Sequence, residues 1–258
     1  MDNLRVYGHS PFNVAVVHGG PGASGEMAPV ARELSSYVSV LEPLQTAASI
    51  EGQVEELRAI LEKNGRLPLT LIGFSWGAWL SYIFSACYPL FVKKLILIGS
   101  GPFEKKYAAD IMKIRLERLS QKENEEALPL FEVMSTSTFV DSDTMARFGD
   151  LMLKVDSYAL LPHEDELIEY RYDIYCSVWE QASRLRSSGE LLKLGEKIRC
   201  PVVAIHGDYD PHPAEGVREP LSGIIKDFRF VLLEKCGHRP WLEQRARDAF
   251  YNILKSEI

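Results

Sequence analysis

The chain has 258 residues, enough for one domain with a sizeable core plus an inserted piece. Hydrophobic residues make up 46% and charged residues 25%, ordinary for a globular protein, and the net charge of -7 with no clustered basic surface excludes a nucleic-acid partner. No basic leader followed by an apolar run opens the chain, and no stretch approaches the ~20 apolar residues that cross a bilayer. The expectation is therefore a cytoplasmic protein with no membrane partner. The four cysteines, Cys87, Cys176, Cys200 and Cys236, are scattered without CxxC spacing, which argues against a disulfide framework or a zinc site.

The first hundred residues alternate two patterns. Val14–Val17, Val38–Leu41, Leu69–Ile72 and Leu95–Ile98 are short β-rich apolar runs. Between them Glu26–Ser36, Ile50–Asn64 and Gly77–Tyr88 read as helices, the second with Val54, Leu57, Ile60 and Leu61 at 3–4 spacing. The third stops before Pro89, as the residue preceding a proline avoids helical backbone. Strands this apolar, alternating with helices, predict a parallel sheet covered on both faces. The alternation breaks near Pro102. Ala108–Leu119, Asp143–Val155 and Glu166–Arg186 read as helices in a charged region without strand-like runs. Strands return at Pro201–Ile205 and Phe228–Leu233, and Arg239–Lys255 reads as a closing helix. The fold class is α/β, a mostly parallel sheet of six to seven strands. Residues 1–101 and 196–258 form the core, and 102–195 a helical cap after the fourth core strand; an independent domain is the other reading of that insert.

Gly73-Phe74-Ser75-Trp76-Gly77 lies where a strand meets a helix. A Gly-x-Ser-x-Gly there makes a sharp turn that lifts the serine hydroxyl above the sheet and aims the Trp76 N–H at an incoming carbonyl oxygen. Alone, the motif is also an ordinary glycine-rich turn; the strand before it and the helix after it give it weight. His18-Gly19-Gly20-Pro21-Gly22 follows the first strand, and Gly20 is the candidate second oxyanion donor. A phosphate loop is the rival, but it needs a Gly-Lys-Ser/Thr that is absent. His18 reads as a loop-holding residue. After the insert, His206-Gly207-Asp208-Tyr209-Asp210-Pro211 ends a strand and supplies two candidate carboxylates, Asp208 and Asp210. Gly237-His238-Arg239-Pro240-Trp241 follows the last strand, in the chain order Ser, acid, His. Of the other histidines, His9 and His163 lie far from a strand end, His206 reads as packed, and His212 reads as an exposed loop residue or a pocket lining.

Together these four motifs resemble the α/β-hydrolase superfamily along the whole chain, with His18–Gly22 and Ser75-Trp76 most similar to its proline iminopeptidase branch. The resemblance implies Ser75 as nucleophile, His238 as general base and, through the family's Gly-x-x-Asp, Asp210 rather than Asp208 as the acid. It implies no metal and no organic cofactor. Three departures stand out. Only about 13 residues precede the Val14 strand, so one or both N-terminal antiparallel strands are expected to be short or missing. Glu42-Pro43-Leu44-Gln45-Thr46 replaces the usual Asp-x-Arg-Gly-x-Gly. Ala78 stands where iminopeptidases show Gly. The expected activity is cleavage of a small-molecule ester or amide. An iminopeptidase-like aminopeptidase and a ligand-sensing protein on the same fold are the alternatives, and oligomeric state leaves no trace in the sequence. From Glu104 to Lys193 there are 18 acidic and 12 basic residues, densest at Glu164-Asp165-Glu166 with Glu169 one turn on. These carboxylates read as a solvated face or, alternatively, as a holder for a substrate ammonium group.

Overall fold

The computed structural model describes residues 3–136, 140–163 and 168–258, without the side chains of 135 and 136. In chain order the elements are β1 (Leu4–Tyr7), β2 (Phe12–Val17), β3 (Ala23–Ser24), α1 (Ala28–Ser35), β4 (Val40–Pro43), α2 (Ile50–Asn64), β5 (Gly65–Phe74), α3 (Trp76–Cys87) and β6 (Val92–Ile98). The insert follows with α4 (Ile111–Glu117), α5 (Gln121–Thr136), α6 (Ser142–Val155), β7 (Glu169–Tyr170), α7 (Tyr172–Ser187) and α8 (Glu190–Lys193). The chain closes with β8 (Val202–Gly207), α9 (Glu215–Ile224), β9 (Phe228–Leu233) and α10 (Arg247–Ser256).

Seven strands form one sheet in the order β1-β4-β2-β5-β6-β8-β9, parallel except for β1, which pairs antiparallel with β4. Its central strands are buried along their C-terminal halves, which is why they read as apolar runs rather than as alternation. One face packs Leu71, Leu97 and Ala204 against α2, α3 and α7; the other packs Val16, Ile72, Ile98 and Ile205 against α1 and α10. The chain runs from β2 to one side and returns at β5 on the other. The strand order therefore reverses between them, and a crevice opens beyond their C-terminal ends, the usual ligand position in such sheets.

Local signals set the helix ends. Ser49 caps α2, its Oγ accepting the Gly52 N–H at 3.1 Å. Asp141 caps α6 through the Thr144 N–H at 2.9 Å.

Several expectations are corrected. Of the segment expected as a helix over 166–186, residues 166 and 167 lie outside the described residues and Glu169–Tyr170 are strand, pairing with Ser24 and Ala23, while the Arg171 N–H bonds Gly22 O; α7 starts only at Tyr172. The expected closing helix from Arg239 starts at Arg247. Pro240–Leu242 form one tight turn, and the Glu243 side chain is bound elsewhere. In the 108–119 segment the α-helix covers only Ile111–Glu117. Helices α5 and α9 were not anticipated: each carries an internal proline, Pro129 and Pro220, which breaks the pattern read as helix. No helix among the described residues is long and apolar enough to cross a membrane.

Candidate active site

Ser75 sits between β5 and α3 with φ 53 and ψ -114, a backbone region where only strong surrounding constraint holds a serine. The constraint is packing. A Cβ on Gly73 would lie 2.1 Å from Gly77 O, and one on Gly77 would lie 2.3 Å from Val17 O and 2.4 Å from His18 O. The two glycines are thus required by close backbone approach, and the turn is locked against the end of β2. The Trp76 N–H belongs to the first turn of α3, whose amides have no partner within the helix. The Trp76 indole bonds Gln53 Oε1 at 2.9 Å.

The loop after β2 is organised by two buried side chains. His18 Nδ1 donates to Gly19 O at 2.8 Å, and its Nε2 accepts the Gln45 N–H at 3.1 Å. Burial pushes its pKa below the ordinary histidine value, so the neutral tautomer that serves both bonds is favoured. The Gly19 N–H donates to Glu26 Oε2 at 3.1 Å. Gly19 is therefore committed, leaving Gly20 as the glycine of this pair available to face a ligand. Gly20 has φ 104, and a Cβ there would meet Gly22 N at 2.7 Å.

His238, on the loop after β9, reaches Ser75. Its Nε2 lies 3.1 Å from Ser75 Oγ, and its Nδ1 lies 2.7 Å from Asp210 Oδ2. A carboxylate accepts at Nδ1, so the proton sits there and Nε2 is free to accept the serine hydroxyl. The ring packs against Phe74, centroids 4.8 Å apart. Asp210, not Asp208, faces the histidine. Asp208 Oδ1 accepts the Cys236 N–H at 3.1 Å and ties the turn after β8 to the loop after β9.

Asp210 serves more than one imidazole. Its Oδ1 accepts from His212 Nδ1 at 2.7 Å and from the His212 N–H at 2.9 Å, and His206 Nε2 stands 3.6 Å from Oδ2. His206 Nε2 donates to His212 O at 2.8 Å. Burial raises the Asp210 carboxyl pKa, but the surrounding histidines outweigh it and hold it well below the usual carboxylate range. Burial lowers the His212 pKa, Asp210 notwithstanding. His212 was not singled out from the sequence as a partner of the acid. The signal was its place two residues after Asp210, where a side chain can fold back onto its neighbour's carboxylate. His9 and His163 are exposed and lie outside this cluster. The ligand atoms of Asp210, His212 and His238 all lie within 4.8 Å of one another, a set that could hold a metal ion. Here those side chains bond each other through Asp210.

The insert grips the histidine loop. The His238 N–H bonds Asp156 O at 2.8 Å; Glu243 accepts from the N–H groups of Gly237, Tyr158 and Ala159 at 2.7–2.8 Å. Arg115 holds Asp156 through two bonds of 2.8 and 2.6 Å. Arg118 donates to Tyr209 O at 2.8 Å and covers the Tyr209 ring. A cavity of about 1170 Å³ is lined by Glu26, Arg239, Trp241 and Tyr170 among others, but not by Ser75. Of the acidic run in the insert, Glu164, Asp165 and Glu166 lie outside the described residues, and Glu169 is exposed.

Residues 13–243 match the profile of the alpha/beta hydrolase fold family, and the chain belongs to that family. Among characterised relatives, the human monoacylglycerol lipase ABHD6 is 25% identical over 78% of this chain, and the chain spans 59% of that protein's length. The proline iminopeptidase of Saccharolobus solfataricus is 25% identical over 98% of this chain and 86% of its own. Among solved structures, VinJ superposes with a TM-score of 0.67 at 18% identity, over 99% of this chain and 95% of its own. That likeness extends the family assignment to the three-dimensional fold.

Proposed function

We propose that this chain is a serine hydrolase that cleaves a carboxylic ester of a small molecule through an acyl-enzyme, with Ser75, His238 and Asp210 as its triad. The observation that carries the reading is the unbroken line of hydrogen bonds from Ser75 Oγ through His238 to Asp210, at 3.1 and 2.7 Å. Ser75 Oγ attacks the ester carbonyl carbon as His238 Nε2 takes the hydroxyl proton. The oxyanion is held by the N–H groups of Gly20 and Trp76. The carbonyl re-forms, the alkoxide leaves with the proton from His238, and water activated by the same nitrogen hydrolyses the acyl-serine. Asp210 stays ionised and stabilises the imidazolium. The insert, residues 102–195, caps this site.

An aminopeptidase of iminopeptidase type is the second reading, favoured by the relative that covers nearly the whole chain. It needs a carboxylate free to hold a substrate ammonium. Among the described residues of the insert, Asp156 is the buried acid, and Arg115 already takes both its oxygens. That favours the ester. The two separate on a short-chain p-nitrophenyl ester against prolyl 2-naphthylamide. We expect the ester to be turned over with the higher kcat/KM. Faster turnover of the amide, lost on N-acetylation, would give the site to the peptidase reading. If a fluorophosphonate leaves Ser75 unmodified and neither substrate is cleaved, the ligand-sensing alternative takes precedence.

A further inference from the structure

Glu26 and Arg239 are 213 positions apart and belong to the two loops that flank Ser75. Glu26 is 6% exposed and precedes α1. Its Oε2 accepts the Gly19 N–H at 3.1 Å, while its Oε1 accepts from Arg239 Nε at 3.0 Å and Nη2 at 2.5 Å. Arg239 directly follows His238. Backbone and carboxylate are so close at Gly19 that a Cβ there would lie 2.5 Å from Glu26 Oε2. Burial opposes the charge of Arg239, and the Glu26 carboxylate more than offsets that.

Taking the serine-hydrolase reading as given, we propose that the Glu26–Arg239 ion pair is a positioning element that sets the oxyanion loop against the loop of the general base. Two physical consequences follow from the geometry. Glu26 turns the Gly19 N–H away from the ligand and so fixes the His18–Gly19 peptide; with His18 Nδ1 holding Gly19 O in the next peptide, this sets the direction of the Gly20 N–H. The Glu26 carboxylate is also a negative charge held on the N–H of Gly19, the residue before the donor that must stabilise a developing oxyanion. Unneutralised, it would oppose that oxyanion in a site where water screens little. Arg239 supplies the neutralisation and, being joined to His238 through the chain, registers the two loops to each other. Neither residue touches the reacting atoms. Their effect falls on transition-state stabilisation rather than on substrate binding.

The pair predicts an inversion that simple loss of packing does not. Arg239→Met leaves a buried, uncompensated carboxylate beside the oxyanion loop and should lower kcat by roughly 30–100-fold, with KM within about threefold of wild type. Glu26→Gln keeps an acceptor for Gly19 and should cost about 3–10-fold. The double variant Glu26→Gln/Arg239→Met removes both charges and should be several-fold more active than Arg239→Met alone. Glu26→Asp keeps the charges but withdraws the acceptor by about one methylene, and should lower kcat roughly tenfold or more at nearly constant KM. This variant decides the matter if Arg239→Met does not fold. The experiment measures kcat and KM on a p-nitrophenyl ester for folded protein verified by circular dichroism, alongside fluorophosphonate labelling of wild type and Ser75→Ala. A double variant no better than Arg239→Met, or a Glu26→Asp enzyme with wild-type kcat, overturns the proposal. If wild type is not labelled at Ser75, it is the serine-hydrolase reading that has failed. Labelled wild type with unaffected Glu26 and Arg239 variants sinks the positioning role alone.

Discussion

The sheet and the insert differ in how they hold together. The sheet is buried on both faces, and two large apolar clusters of buried side chains clamp it between helices. Within the insert, α7 and α8 join one of these clusters through Ile174, Val178, Ala182 and Leu191, whereas α4–α6 close over two small clusters. One holds Leu119, Ala127, Met152 and Val155, the other Met134, Val140, Met145 and Tyr172. Much of what ties α4–α6 and β7 to the core is polar: the His238 N–H on the carbonyl of Asp156, a residue held by Arg115, Arg118 on Tyr209, Glu243 on the 158–159 backbone, and the β3–β7 pairing. Apolar packing therefore positions Ser75, whereas hydrogen bonds contributed jointly by core and insert position the His238 loop. The site has a rigid half and a half whose geometry depends on charge.

The largest expected effect breaks the rigid half without moving it. Ser75→Ala should lower kcat by about 10⁴–10⁶, since triad members act as a unit, while the thermal midpoint changes little. A variant that keeps a tenth of the activity refutes the nucleophile. Next, Asp210→Asn should reduce kcat by roughly 10³–10⁴ by giving His238 the wrong partner at Nδ1. Asp208→Asn keeps an oxygen that can accept the Cys236 N–H and should cost far less; steady-state kinetics on the same ester rank the two, and the reverse order would reassign the acid.

The charged half is tested at Arg115. Its side chain is 15% exposed and that of Asp156 is 4% exposed, so this is a buried pair. Arg115→Met leaves Asp156 unpaired, and urea unfolding should show a loss of about 3–5 kcal/mol. Because the Asp156 carbonyl holds the His238 N–H, kcat of the folded protein should fall as well. An unchanged urea midpoint would mean that the insert is not anchored through this contact.

The sheet was legible in the sequence because continuous apolar runs such as Leu95–Ile98 have one physical reading when helices separate them. Ser75 and the His18–Gly22 loop are legible because glycines that permit close approach mark their turns, and Gly73, Gly77 and Gly20 are such glycines; His238 is legible from its place after the last strand in the order Ser, acid, His. The insert was legible only in outline. Pro129 hides α5, and a two-residue strand such as β7 is set by its partner Ala23–Ser24 rather than by its own residues. β1 was expected to be short or absent, and it is a four-residue edge strand with half-buried side chains, too weak a pattern to read. The Glu26–Arg239 contact depends on side-chain direction, on which spacing is silent, and the two-residue step from Asp210 to His212 permits their contact without fixing it.

The smallest expected effect is the acid sensitivity of the charged half. Asp210 has its folded pKa depressed, so its contribution to stability is complete above the unfolded carboxylate value and is lost as pH falls through the folded one. His18 and His212 are also depressed, from 6.5, by burial. An imidazole buried in its neutral form takes up a proton more readily when unfolded. Its stabilising effect is therefore present above about pH 6.5 and declines as pH falls from there toward the lower folded value. The two kinds of group give a two-stage loss, beginning near about pH 6.5 with the histidines and steepening below about pH 4, where unfolded aspartate takes up its proton. Urea titrations from about pH 8 to 4 should show the first stage. His212→Asn removes one of its two histidines but keeps the backbone N–H on Asp210 Oδ1, so the decline between about pH 6.5 and 5 should become shallower. Kinetically His212→Asn should be mild, within about tenfold in kcat, because His238 retains its bond to Oδ2. A pH profile of stability identical in wild type and His212→Asn would show that His212 is not held in its neutral form beside Asp210, 2.7 Å away.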